Sequence, residues 1–267
     1  MKITKMQGLG NDYLYFHEEV PADVSDLSIL LSDRHYGVGS DGLIYITESQ
    51  TADFGMRIFN ADGSEALMCG NGIRCVGKYI YEKGLSDKTD LLIETRSGIR
   101  RLRLDVHEGK VTSVSVNMGT VTVSPAVTVE AGEQTYTLYP VSTGNPHAVI
   151  FTDEKGLSLP EKIGSLIEHH PLFPGGVNCE FVNVRNNGTL RMRVWERGSG
   201  VTMACGTGAA ASAAAAIFTG AVNEKGTVIV ELDGGILEFT KAENGEFWMK
   251  GPAEFVFEAE MEEVRKK

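Results

Sequence analysis

Two cysteines in this chain of 267 residues sit in the same local setting. Cys69 is followed by Gly70-Asn71-Gly72 and Cys205 by Gly206-Thr207-Gly208, and a Gly-Ser turn, Gly63-Ser64 or Gly198-Ser199, precedes each. Glycine lets the backbone approach a ligand closely. A helix that starts just after the cysteine offers unpaired N–H groups and the positive end of its dipole, a site for an anion such as a carboxylate. The same field is expected to lower the thiol pKa and raise the thiolate fraction. Two such thiols suit a 1,1-proton transfer. Inverting an amino-acid α-carbon needs a base that removes the proton from one face and an acid that delivers one to the other. The carbanion delocalises into the α-carboxylate, so N–H donors that tighten there stabilise the transition state more than the ground state.

A single cysteine is ordinarily a buried core residue, and Cys75, inside a helix, and Cys179, alternating with Val177 and Phe181, are read that way. The matched settings set Cys69 and Cys205 apart. A phosphate-binding loop is the competing use of a glycine-flanked helix start, but neither Gly-x-x-x-x-Gly-Lys-Ser/Thr nor a dinucleotide fingerprint is present. The four cysteines are too few and scattered for a secreted disulfide scaffold. A zinc site would need two short-spaced pairs, whereas only Cys69 and Cys75 are close, so no metal is expected.

The elements that must carry the cysteines form an internal repeat. Gly10-Asn11 returns as Gly144-Asn145, Arg34-His35 as His169-His170, Phe59-Asn60 as Trp195-Glu196, and Cys69-Gly70 as Cys205-Gly206, always displaced by 134 to 136 residues. Two similar lobes follow, 1–118 carrying Cys69 and 119–267 carrying Cys205, with a C-terminal strand free to cross back. Short β-branched and aromatic runs predict strands at 13–16, 43–47, 55–59, 100–106, 111–117, 135–141, 148–151, 189–194 and 228–232. Helices are predicted at 24–34, at 160–169 and directly after each Cys-Gly motif. Gly84 and Gly220 stand where C-terminal caps would end the latter two. The alanine-rich run 209–218 reads as a helix packed on all sides.

Composition narrows the function class. The net charge is −11, which repels a nucleic-acid backbone. No apolar run approaches membrane-span length and the first residues do not read as a signal peptide, so no membrane partner and a cytoplasmic location are expected. A homodimer is left open.

Long segments of the chain closely resemble the diaminopimelate epimerases. They are Lys5-Met6-Gln7-Gly8-Leu9-Gly10-Asn11-Asp12, Phe59-Asn60-Ala61-Asp62-Gly63-Ser64-Glu65, residues 68–74, Thr143-Gly144-Asn145-Pro146-His147, Val177-Asn178 and Val194-Trp195-Glu196-Arg197-Gly198, with 204–209 after them. The resemblance implies an α/β (α+β) fold of two pseudo-symmetric lobes, each a curved, mostly antiparallel sheet around a central helix, with the active site in the cleft between them. It implies no cofactor, an amino-acid substrate, and epimerisation of LL-2,6-diaminopimelate to the meso form. Cys69 and Cys205 match the catalytic pair; Gly70, Asn71, Gly206 and Thr207 match the backbone cradle for the reacting carboxylate. Asn11, Asn60, Asn145, Asn178, Glu196 and Arg197 match groups that hold the substrate, particularly at its distal end, and His147 and Glu196 match residues close to the thiols. Gly42 departs from the pattern: some members place a glutamine contact there. Racemases of histidine or lanthionine would share the cysteine motifs. A protein that binds carboxylate or phosphate without turnover is the remote alternative.

Overall fold

The structure is a computed structural model that describes residues 1–261. They form two compact units, residues 1–116 together with those from Gly251 onward, and residues 117–250. The last strand, which the sequence leaves free to cross back, pairs with the first strand of the chain.

The first unit holds β1 (Lys2–Gly8), β2 (Asn11–Phe16), α1 (Val24–Ser32), β3 (Gly42–Thr47), β4 (Phe54–Asn60), β5 (Glu65–Ala66), α2 (Gly70–Glu82), β6 (Asp90–Thr95), β7 (Gly98–His107) and β8 (Lys110–Thr120). Its strands pair β1 with β2, β2 with β3, β3 with β4, β4 with β5 and β6, β6 with β7 and β7 with β8. Only β2–β3 and β4–β6 are parallel, and each bridges a helix that needs a crossover.

The second unit repeats this plan with β9 (Thr122–Val123), β10 (Val127–Ala131), β11 (Gln134–Ser142), β12 (Pro146–Phe151), α3 (Pro160–Glu168), β13 (Asn178–Val184), β14 (Leu190–Glu196), β15 (Gly200–Thr202), α4 (Gly206–Phe218), β16 (Val228–Leu232), β17 (Gly235–Lys241) and β18 (Glu246–Gly251). Its parallel pairs, β12–β13 and β14–β16, fall at the equivalent places. The final strand, β19 (Glu254–Glu260), runs antiparallel to β1 and belongs to the first unit.

Two cores flank each sheet. On one face α1 covers Ile3, Leu14, Phe16, Leu43, Tyr45 and Phe59, and α3 likewise sets Ile163 and Ile167 on Ile150, Cys179 and Phe181. The other face wraps the long helix. In α2 the apolar residues Ile73, Val76 and Ile80 are buried at helical spacing. Gly77 lets the helix lie against β7, where an added Cβ would stand 2.9 Å from Leu102 and Leu104. Every residue from Gly208 to Ala216 of α4 is buried, because alanine keeps helix propensity while allowing strands to pack closely on all sides. Gly84 and Gly220 end the two helices with φ of +72° each, donating to Tyr81 O and Ile217 O.

Candidate active site

Both helices begin alike. Cys69 and Cys205 are the N-cap residues of α2 and α4, each helix 13 residues long, with extended backbones (φ −135°, ψ 117° and φ −120°, ψ 111°). Each sulfur accepts a hydrogen bond from the third helical residue, Gly72 N–H or Gly208 N–H, at 3.3 Å. A cysteine here takes the place of the usual serine or aspartate cap. The N–H groups of Gly70 and Asn71, and of Gly206 and Thr207, precede the first intrahelical bonds, Ile73 to Cys69 and Ala209 to Cys205.

In the first unit, the Cys69 thiol donates to Asn11 Oδ1 at 3.3 Å while Asn11 Nδ2 donates to Asp41 Oδ2 at 2.6 Å. Asp41 is tied in turn to Arg34. Asn71 is buried, and its Oδ1 accepts from Arg74 Nη1 at 3.1 Å. Arg74 is wholly buried and also donates to Gly70 O and Pro252 O, so a side chain to which the sequence assigned no role braces the first turn. Asn60 makes no side-chain hydrogen bond to this cluster among the described residues. It closes a turn with Ser64 through Nδ2 and its backbone, and Ser28 holds its carbonyl. Gly42 faces Asn60 across the β3–β4 ladder with φ +154°, and an added Cβ would stand 2.1 Å from Phe59 O. The backbone there is built for glycine.

In the second unit Cys205 is 5% exposed and its sulfur lies 3.4 Å from Thr207 Oγ1. Glu196 accepts from Thr202 Oγ1 at 2.5 Å rather than from Arg197, whose guanidinium donates to Gly175 O. Burial raises the Glu196 carboxyl, against hydrogen bonds from Thr202 and Cys205. The expectation of a lowered thiol pKa fails at Cys205. Burial pushes this thiol well up, and the neighbouring Glu196 and Glu180 carboxylates push it further; the bonds from Thr207 and Gly208 N–H do not offset them. His147 is fully buried between Glu180 and Asn145. Asn178 Oδ1 accepts from the Arg197 backbone N–H at 2.8 Å, which joins two of the expected substrate contacts.

Cys75 and Cys179 are buried in α2 and β13, and burial raises both thiols, Cys75 to about 11. They are core residues. Sequence reasoning passed over Arg74, Asp41, Glu180 and Glu168; the last holds the turn after Glu196 by accepting from Trp195 Nε1 and Gly198 N–H. Only their partners, distant in sequence, reveal them. Among the described residues no helix is long and apolar enough to cross a membrane.

The architecture recurs in solved structures. A hydroxyproline epimerase from Agrobacterium vitis, solved with bound trans-4-hydroxy-L-proline, superposes with a TM-score of 0.70 at 17% identity, over 97% of this chain and 91% of that one. A PhzF-family phenazine biosynthesis protein of Bacillus anthracis gives 0.77 at 16% identity, over 98% of each chain. The fold is thus the two-lobed fold found among epimerases. Sequence carries the assignment further. The diaminopimelate epimerase family model matches residues 3–124 and 139–256. Curated diaminopimelate epimerases are 50% identical in Bacteroides thetaiotaomicron (98% of each chain), 45% in Acetivibrio thermocellus (98% of this chain, 99% of that one) and 46% in Methanococcus maripaludis strain C5 (98% and 100%). The chain belongs to the diaminopimelate epimerase family.

Proposed function

We propose that the protein epimerises LL-2,6-diaminopimelate to meso-diaminopimelate by two-base proton transfer between Cys69 and Cys205, without a cofactor. The observation that carries this is the matched pair of N-cap thiols: two cysteines, each bonded to the third N–H of a 13-residue helix, in two units of one plan. One cysteine, as thiolate, takes the α-proton, and the C–H electron pair passes into the α-carboxylate. The other, as thiol, gives its proton to the opposite face and becomes the thiolate. In the reverse direction the roles exchange. The N–H groups of Gly70, Asn71, Gly206 and Thr207 stabilise the charge gathering on the carboxylate. Asn11, Asn60, Asn145, Asn178, Glu196 and Arg197 hold the remaining substrate groups, Arg197 pairing with the distal carboxylate.

The product serves lysine and peptidoglycan biosynthesis, which supports a cytoplasmic location, a small-molecule substrate and no nucleic-acid partner. The net charge of −11 supports the last point. The test is incubation with LL-diaminopimelate, lysine and histidine, separately, in heavy water, following α-deuteration and stereochemistry. Deuteration and inversion of diaminopimelate far ahead of the others is the expected result. Equal turnover of lysine or histidine overturns the substrate, and no exchange with any of them overturns the thiol chemistry.

A further inference from the structure

The second unit buries an ionisable pair that the proposed proton transfers do not use. Glu180 on β13 and His147 on β12 are both wholly buried, with Glu180 Oε1 2.7 Å from His147 Nδ1. Across the ring, Nε2 lies 3.2 Å from Asn145 Oδ1, and Thr143 Oγ1 donates to that same oxygen at 2.8 Å. The other carboxylate oxygen, Glu180 Oε2, has no hydrogen-bond partner among the described residues. A buried carboxylate with half its accepting capacity unmet costs stability.

The repeat shows that the fold does not require it. The β12–β13 register sets Val149 against Glu180 and the β2–β3 register sets Tyr15 against Ile44, which makes Ile44 the counterpart of Glu180. A Cβ added to Gly72 would meet Ile44 Cδ1 at 2.6 Å, and one added to Gly208 would meet Glu180 Oε1 at 2.6 Å. The same spot beneath the first helical turn is filled by a methyl group in one unit and by a carboxylate in the other. The equivalent asparagines are also turned in opposite ways. Asn11 points its oxygen at Cys69 and gives its NH2 to Asp41. Asn145 has its oxygen engaged by His147 and Thr143, and its Nδ2 makes no hydrogen bond among the described residues.

We propose that Glu180 is a positioning residue: by accepting Nδ1–H of His147 it directs the ring's Nε2–H at Asn145 Oδ1, leaving the Asn145 NH2 to donate to a carboxylate of the substrate. This rests on the reading of Asn145 as a substrate contact. In this arrangement both ring nitrogens donate, Nδ1 to Glu180 and Nε2 to Asn145, whose Oδ1 also accepts from Thr143. In Glu180→Gln the charge is gone while the acceptor for Nδ1–H stays. A neutral ring carries one proton, so Nε2 becomes an acceptor, and Asn145 rotates to offer it NH2 and sets its own oxygen toward the substrate carboxylate.

The test combines kinetics with 15N NMR of histidine-labelled protein. E180Q is expected to raise KM for LL-diaminopimelate about 10- to 100-fold, the loss of one hydrogen bond to a charged group, with a smaller change in kcat. His147 should show two protonated nitrogens in the wild type and one in E180Q. Glu180→Ile, which installs the first unit's residue, should share the KM defect while remaining folded; if it does not fold, E180Q decides. A wild-type KM in E180Q, or a neutral His147 ring in the wild-type protein, overturns the proposal. Should the wild type fail to epimerise diaminopimelate at all, the functional reading falls, and the ring protonation alone decides the role of Glu180.

Discussion

Replacing Arg74 by methionine tests whether the first cradle is braced from beneath. The guanidinium has no exposed surface, and burial holds its pKa below the usual arginine value. It donates to three neutral oxygens: Gly70 O at 3.3 Å, Asn71 Oδ1 at 3.1 Å and Pro252 O at 3.0 Å. At roughly 1.5–3 kcal/mol for each bond from a charged donor, about 4.5–9 kcal/mol is at stake. Taking a cation out of a low-dielectric interior returns several kcal/mol, and methionine refills much of the volume. The net loss should be about 2–4 kcal/mol. For a chain of this size that is a fall in Tm of roughly 4–16 °C, at about 2–4 °C per kcal/mol. Arg74→Lys restores the charge without the fork and should fall between wild type and methionine. The assay is denaturant and thermal unfolding of the three proteins, with epimerase kcat/KM alongside, because a released Asn71 leaves the first turn of α2 unbraced. R74M unfolding within about 1 kcal/mol of wild type would refute the reasoning.

Cys69→Ser and Cys205→Ser should each lower epimerisation by roughly 10²–10⁴-fold or more while far-UV circular dichroism is unchanged, since a hydroxyl caps the helix but is a poor general base; near-native turnover in either would contradict the two-base assignment. Gly42→Gln should lose stability without improving KM, because its Cβ would stand 2.1 Å from Phe59 O; a more stable or tighter-binding variant would show the backbone to be adaptable. Burial alone would raise Asp12, but Arg34 and Lys5 outweigh it and hold its pKa below the usual value. Its contribution is therefore present above the unfolded value of about 3.9 and lost as pH falls through the lower folded value, so Asp12→Asn should flatten the acid limb of Tm against pH. Arg197→Met should cost about 10²-fold or more in kcat/KM on diaminopimelate while sparing α-exchange on simpler amino acids; equal losses on both would remove it from distal recognition.

What sequence shows of this protein is what local pattern can show. The cysteine helices, their glycine caps and the 228–232 strand are legible because each signal lies within a few residues of its effect. β1 escaped notice because only Ile3 and Met6 of its seven residues are large and apolar, and they stand three apart, so no period-two apolar alternation marks it. β19 is mostly exposed, and its partner lies at the other end of the chain, so nothing in its own pattern reveals the pairing. The site is legible to the same depth. Paired thiols could be found from spacing; the raised pKa of Cys205 could not, because it comes first from burial by distant elements and then from the Glu196 and Glu180 carboxylates on β14 and β13. Glu180 sits in a buried strand among apolar neighbours, and only register shows what it opposes.

The two units share a backbone plan but not a distribution of charge. Arg74 on α2 corresponds to Ala210 on α4, and Glu180 on β13 corresponds to Ile44 on β3, so a buried cation lies under one cradle and a buried carboxylate under the other. A racemase acting between mirror images of a one-centre substrate would gain from two equivalent faces. LL- and meso-diaminopimelate are diastereomers, and the centre that does not react keeps its configuration throughout. In the proposed mechanism the substrate presents unequal surroundings to the two thiols, so nothing favours keeping the duplicated halves electrostatically alike. The proposed transfer then asks the two units to share only their helix-start geometry, while Cys205, raised first by burial and then by Glu196 and Glu180, carries the difference in charge.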